Sequence, residues 1–284
     1  MNVQKRQSMT INRRGLIFCF TLPVTASAAS AQEPAANPSL SKAWVIEAGA
    51  VLLNVGGGLS AITTSGHGGS FNFARLGLDG RETTFATNLR WRFSSRWRLD
   101  LRYDAVEASG SLANTASVEF GRVTIPAGYE IASVLDAKAY SSFLGYAFSK
   151  GHLLEFGGRI GLSILDATAS VTGRGSIGGK ISNAGPESID ILTPVPTLGL
   201  YATYAFDDQL AFEGAIDGIA GGIGIYSGHY LQLNAGLKYW LSDTLAIAGG
   251  YRLLDARTER DGNAVDSRVD VRTHGAYLNA SIGF

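Results

Sequence analysis

The sequence predicts an all-β chain, an antiparallel up-and-down barrel that crosses a membrane with about ten strands, in a range of roughly 8–12. Three observations carry that prediction. Apolar residues recur at every second position in at least seven segments, which is the period of a strand with two unlike faces. The connections alternate between very short and long, as they do when tight turns face one compartment and loops face the other. The composition is 17% charged and 45% hydrophobic with 36 Gly, against roughly 25% charged for soluble domains. After the N-terminus there is no run of about 18 or more uncharged apolar residues, so the apolar surface is not arranged as a membrane helix.

Residues 1–31 read as a signal peptide. Lys5, Arg6, Arg13 and Arg14 make a basic start, "GLIFCFTLPV" is the apolar stretch, and "ASAASA" offers small residues for cleavage between Ala31 and Gln32. Arg13 and Arg14 superficially match a twin-arginine signal, but adjacent arginines are equally ordinary in a basic n-region. Cys19 lies between Phe18 and Phe20, not among the small neighbours that lipoprotein processing uses. Removing this segment takes four basic residues and no acidic ones from 24 of each, leaving a net charge near −4, and takes the single Cys. Disulfides, cysteine catalysis and cysteine metal sites are thereby set aside, and no basic surface for nucleic acid remains. Residues 32–42, "QEPAANPSLSK", are expected to form a flexible leader.

From Trp44 the alternation begins. In 85–93, Phe85, Thr87, Leu89, Trp91 and Phe93 oppose Ala86, Asn88, Arg90 and Arg92; in 97–105, Trp97, Leu99, Leu101, Tyr103 and Ala105 oppose Arg98, Asp100, Arg102 and Asp104. Segments 154–164, 198–206, 210–216, 229–241 and 245–253 repeat it, with Glu155, Arg159, Glu213, Asp217, Lys238 and Arg252 on the polar faces. Short turns fall at 94–96, 149–151, 207–209 and 242–244. Gly- and Ser-rich loops fall at about 56–70, 110–130, 173–190, 219–228 and 259–267. The strands expected are 43–55, 82–93, 96–109, 131–148, 152–172, 191–206, 209–219, 228–241, 244–259 and 266–284. Segment 70–82 is open: it reads as a further hairpin arm or as an extension of the second strand.

Aromatic residues cluster beside the short turns. Trp91, Phe93, Trp97, Tyr146, Phe148, Phe156, Tyr204, Phe206, Phe212, Tyr239 and Phe284 all lie within a few residues of one. Rings favour the membrane–water boundary, so this bias marks an interfacial girdle. In hydrocarbon each backbone N–H and C=O needs a partner, which only a closed sheet supplies.

The signal segment, the repeated amphipathic strands and the terminal "YLNASIGF" together resemble bacterial outer-membrane β-barrel proteins. The resemblance covers 43–284 and is to an architecture, not to one functional family. It implies short periplasmic turns, long extracellular loops, location in the outer membrane and contact with its lipid. It also implies that Tyr277, Leu278, Ile282 and Phe284 form the signal read by the barrel-assembly machinery, with periplasmic chaperones as earlier partners. Ile282 departs from the commoner aromatic at that position.

The inward charges are the candidate site: Glu47, Arg90, Arg92, Arg98, Asp100, Arg102, Asp104, Glu155, Arg159, Glu213, Asp217, Lys238 and Arg252. Seven are positive and six negative. They fit either a selectivity lining for small solutes or a paired network that fills a narrow barrel; ten strands enclose far less than porins do. A structural or surface-interacting role, or a minor passive pore, follows. An outer-membrane hydrolase acting on lipid or peptide through loop residues is the alternative; an Asp255 or Asp270 pairing with His229 or His274 would be its raw material. His67 and His152 are the other histidines, and no two lie at metal-ligand spacing. "GRGSIGGKIS", 173–182, fails the phosphate-loop pattern because Ile181 occupies the hydroxyl position. No cofactor is expected.

Overall fold

The computed structural model describes residues 37–63, 68–73, 80–113, 118–120, 123–125, 127–177, 180–223, 226–260 and 265–284. Among these, one helical turn, α1 (Pro38–Ser41), precedes thirteen strands. They are β1 (Trp44–Thr63), β2 (Gly68–Asn72), β3 (Arg81–Trp91), β4 (Trp97–Ala113), β5 (Val118–Phe120), β6 (Val123–Ile125) and β7 (Glu130–Lys150). Then follow β8 (Leu154–Ile177), β9 (Lys180–Ala205), β10 (Leu210–Ile223), β11 (Tyr226–Trp240), β12 (Leu245–Arg260) and β13 (Val265–Gly283). Ten of them, β1, β3, β4 and β7 to β13, run antiparallel in chain order, and β13 pairs with β1 to close the sheet into a barrel. The closing ladder extends from Val45↔Gly283 to Thr63↔Val265. It is sealed at its end by Trp44 N–H to Phe284 O (2.8 Å) and Phe284 N–H to Trp44 O (3.0 Å).

The short turns are built by their own side chains. Asp207 Oδ1 accepts from the backbone N–H of Gln209 (2.8 Å) and Leu210 (2.7 Å), and these two bonds lower the Asp207 pKa. Ser242 Oγ accepts likewise from Thr244 and Leu245. Such bonds let a chain reverse within a few residues.

At the other end the structure corrects the expected loops. Residues 173–190, read as loop, are strand apart from 178–179, which lie outside the described residues; β8 and β9 stay paired from Leu154↔Tyr204 to Ile177↔Lys180. The described residues of 219–228, 110–130 and 56–70 are likewise mostly strand, with β5 and β6 as a small separate hairpin and β2 folded back on β1. Gly and Ser there are poor strand formers, but in β8–β9 and β10–β11 each new pair continues a ladder that the barrel has already aligned. Of the open segment, 70–72 belong to β2 and 81–82 to β3, while 74–79 lie outside the described residues.

Two ladders stop early. The β9–β10 pairing ends at Leu198↔Gly218, just below Pro196 and Pro194, which have no N–H to give a neighbour. The β3–β4 pairing ends at Phe85↔Ala105. Above those points the described wall divides into two sheets, β4 with β7, β8 and β9, and β10 to β13 with β1, β2 and the start of β3.

The leader also needs correction. Over 37–42 it is a capped turn packed against the short-turn end; 32–36 lie outside the described residues. Asn37 caps α1 by accepting from Ser39 N–H (2.9 Å), and its Nδ2 donates to Asp207 O (2.9 Å). Leu40 is fully buried, and Ser39 Oγ accepts from Trp240 Nε1 (2.9 Å). Proline at the first helical position and an Asn cap are a sequence signal for this turn.

Candidate functional site

Alternation turns Arg98, Asp100, Arg102 and Asp104 of β4 into the lumen, and register sets their neighbours. Arg90 of β3 lies opposite Asp100, and Asn88 opposite Arg102. Arg90 Nε donates to Asp100 Oδ1 at 3.0 Å, and its two terminal nitrogens fork onto Glu213 of β10 at 3.3 and 3.1 Å. Lys238 of β11 bridges Glu213 (3.0 Å) and Glu47 of β1. On the other side Arg98 lies 3.0 Å from Asp100 and 3.5 Å from Glu155 of β8, while Arg92 joins Glu155 to the Ser39 carbonyl of α1. Arg159 of β8 forks onto Asp217 and approaches Asp100 at 3.8 Å. An ionic layer thus runs from β1 to β10 across the interior and down to the N-terminal turn.

Asp104 and Arg252 form a separate pair one step higher, with Arg252 Nε also donating to Asn234 Oδ1 (2.8 Å). Arg102 is left the shortest: among the described residues its Nε and Nη1 have no hydrogen-bond partner, and its guanidinium lies 5.9 Å from the Phe143 ring centroid. Within the layer a cavity of about 70 Å³ remains, bordered by Glu47, Arg90, Arg102, Glu213 and Tyr277. That is the room of about two waters.

Inward aromatic rings complete the filling, and sequence reading missed them. Tyr201 lies flat under Arg98, whose guanidinium carbon is 3.3 Å from the ring centroid. It fits because Gly157 opposite has no side chain: a Cβ there would come 2.6 Å from the ring. Phe143 lies under Arg159 at 4.3 Å against Gly161, and Tyr277 lies over Gly236 and Gly250. Trp240, Val45 and Ala246 close the short-turn end beside α1. Inward glycines that face an inward ring from the neighbouring strand, Gly157 against Tyr201, Gly161 against Phe143 and Gly250 against Tyr277, were the available signal. Tyr277, grouped with the terminal assembly residues, faces this interior, whereas Leu278, Ile282 and Phe284 are exposed on the outer face.

Above the ionic layer the inward positions change character. Leu53, Val55, Val106, Leu135, Leu165 and Leu254, with the buried Phe73 and Tyr230, surround a chamber of about 140 Å³. Both sheets of the divided wall contribute to it. The expectation of a uniformly polar inner face therefore holds only for the lower half.

The outer face shows two boundaries. Phe93, Trp97, Phe148, Phe156, Tyr204, Phe206 and Tyr239 are exposed, with Trp91 and Phe212 half-buried. Contacts run Trp44–Trp91 (5.0 Å), Trp97–Tyr146 (4.9 Å), Phe148–Phe156 (5.8 Å) and Tyr204–Phe206 (5.1 Å). Outward charged residues, or on β11 a histidine, begin ten residues along these strands: Trp97 to Glu107, Phe148 to Lys138, Phe156 to Asp166, Tyr239 to His229 and Leu245 to Asp255. Ten residues rising about 3.3 Å each at a tilt of about 45° span about 23 Å, the height of an outer-membrane apolar band. The histidines with described contacts belong to this upper boundary. His229 Nε2 lies 3.2 Å from Asp255 Oδ1, Asp255 Oδ2 lies 3.4 Å from Arg272 Nε, and Tyr251 hydroxyl lies 2.6 Å from His274 Nδ1. All point outward, away from the chamber. His152 is on the short turn after β7, and His67 lies outside the described residues.

No family model and no curated protein matches this sequence. Among solved structures, the outer membrane protease OmpT from Escherichia coli matches over 84% of this chain and 97% of its own, at TM-score 0.51 and 9% identity. The P. putida toluene transporter TodX matches over 89% and 93%, at 0.36 and 10%. Neisserial surface protein A matches over 85% and 97%, at 0.28 and 12%. The likeness is one of fold: the chain has the architecture of bacterial outer-membrane β-barrels.

Proposed function

We propose that this outer-membrane barrel is a closed one, with a structural or surface-interacting role and no ion-conducting path from face to face. The observation that carries the reading is the ionic layer spanning the lumen from Glu47 through Lys238, Glu213, Arg90, Asp100 and Arg98 to Glu155. It stands directly on a second seal made by α1 and Trp240. An ion would have to break several desolvated pairs to cross, and breaking one such pair costs about 3–5 kcal/mol. The exposed apolar band and its girdle suit outer-membrane lipid as the surrounding partner, and the closing strand β13 suits recognition by the barrel-assembly machinery.

Single-channel recording of the refolded protein in a planar bilayer tests the reading. Flat current is expected, and discrete steps would return the lumen to the passive-pore reading. The hydrolase alternative would draw on the pairing of His229 with Asp255, 3.2 Å apart at the upper boundary of the outer face. Turnover of a lipid or peptide substrate by the purified barrel would establish it.

A further inference from the structure

We infer that the upper chamber is a binding site for a small, neutral, apolar molecule of about one aromatic ring in size. The lumen of a membrane barrel that holds water is lined by polar side chains. Here six aliphatic side chains from β1, β4, β7, β8 and β12 turn inward at one level instead. Water against such a wall is unfavourable, whereas an apolar guest removes that contact. Apart from the neutral hydroxyls of Thr193 and Thr273, the polar groups nearby are already engaged. Asp104 pairs with Arg252, Ser141 bonds Ser163 (2.8 Å), and Tyr230 donates to Gln232 (2.9 Å). Lys138 pairs with Asp136 at 3.0 Å, and exposed Asp166 points outward on its strand. These engagements leave shape and apolarity as the selection rule, with nothing to reward a charged head group.

Size narrows the class further. An apolar cavity of about 150 Å³ stays dry and admits benzene or xenon, and this chamber measures about 140 Å³. Access follows from the two places where the wall divides. The β9–β10 ladder ends at Leu198↔Gly218, and Thr193 just beyond Pro194 lines the chamber. Below, the ionic layer makes the chamber a dead end, so the guest is held and not passed through; that clause rests on the closed-barrel reading.

The test is a ¹⁹F NMR titration of fluorobenzene against the full barrel in lipid nanodiscs, with empty nanodiscs as the partition baseline. Saturable binding of one molecule per barrel is expected. Ala137→Phe with Ala167→Phe, two chamber-lining positions, should weaken it at least tenfold while keeping the heat-modifiable gel shift of a folded barrel. Leu135→Asn, which keeps the branched side chain of four heavy atoms but wets the wall, should also weaken it severalfold if the paired variant does not fold. Fluorobenzoate should bind at least tenfold more weakly than fluorobenzene. No signal above empty nanodiscs, undiminished binding in the variants, or equal binding of fluorobenzoate would overturn the inference. Conductance steps would overturn the closed reading alone, since a conducting barrel can still show saturable fluorobenzene binding.

Discussion

Glu155 is fully buried between Arg92 and Arg98, and it connects the N-terminal turn to the rest of the ionic layer. Its value lies in completing a set of charges that are already out of water. Glu155→Gln should therefore destabilise the barrel by about 3 kcal/mol, because two buried guanidiniums lose their carboxylate. The urea midpoint of the folded gel form measures this, and Arg96→Gln on the exposed turn should stay within about 0.5 kcal/mol. The ring-on-glycine contacts make a second prediction. A Cβ on Gly236 would come 2.1 Å from the Tyr277 hydroxyl, so Gly236→Ala should cost about 1–3 kcal/mol as overpacking. Tyr277→Phe should recover part of that loss, giving a coupling of at least 0.5 kcal/mol in a double-mutant cycle. Strict additivity would mean that the contact is not the cause. The inward charges were legible in the sequence because period two assigns a face to every residue. Which charge meets which was not, since Arg90 and Glu213 are brought together only by closing the sheet.

On β4, β7, β8 and β12 about ten residues separate the girdle end from the first outward charge, and β12 shows the rule most plainly. Leu245, Ile247, Tyr251 and Leu253 face outward below Asp255, which meets His229 and Arg272. Tyr251→Arg, near the middle of the band, should cost about 2–4 kcal/mol, whereas Asp255→Arg at its edge should cost about 0–1. A flat profile along β12 would contradict the assigned band. Strand β13 has the further task of closure, through the paired backbone bonds of Phe284 and Trp44. Deleting Phe284 should lower the yield of membrane-inserted protein severalfold, measured by gel shift of outer-membrane fractions; normal insertion would count against that task. The spanning portions of these strands could be read from alternation and girdle aromatics. Their extensions could not, because Gly- and Ser-rich sequence such as 173–182 has no apolar period and is held straight by its paired neighbour. The turn at Pro38–Ser41 shows the opposite case. Asn37 and Pro38 are a cap signal, but four residues hold too little local information to outweigh a polar, Pro-containing composition.

The whole molecule is a barrel filled in three tiers: an apolar seal of Leu40, Val45, Trp240 and Ala246, the ionic layer above it, and an apolar chamber between two diverging sheets. The architecture could be deduced from the sequence because every level of it agreed, from strand period to turn length to girdle. The tiers could not, because they depend on which inward residues share a height around the circumference, and height is set by stagger between strands that are distant in the chain. The central claim is that these tiers close the lumen, and single-channel recording tests it most directly. The refolded barrel should hold a flat baseline across voltages of either sign, while a variant lacking residues 37–43 and carrying Trp240→Ala and Glu155→Ala should conduct in steps. Discrete steps from the unaltered barrel would contradict the account.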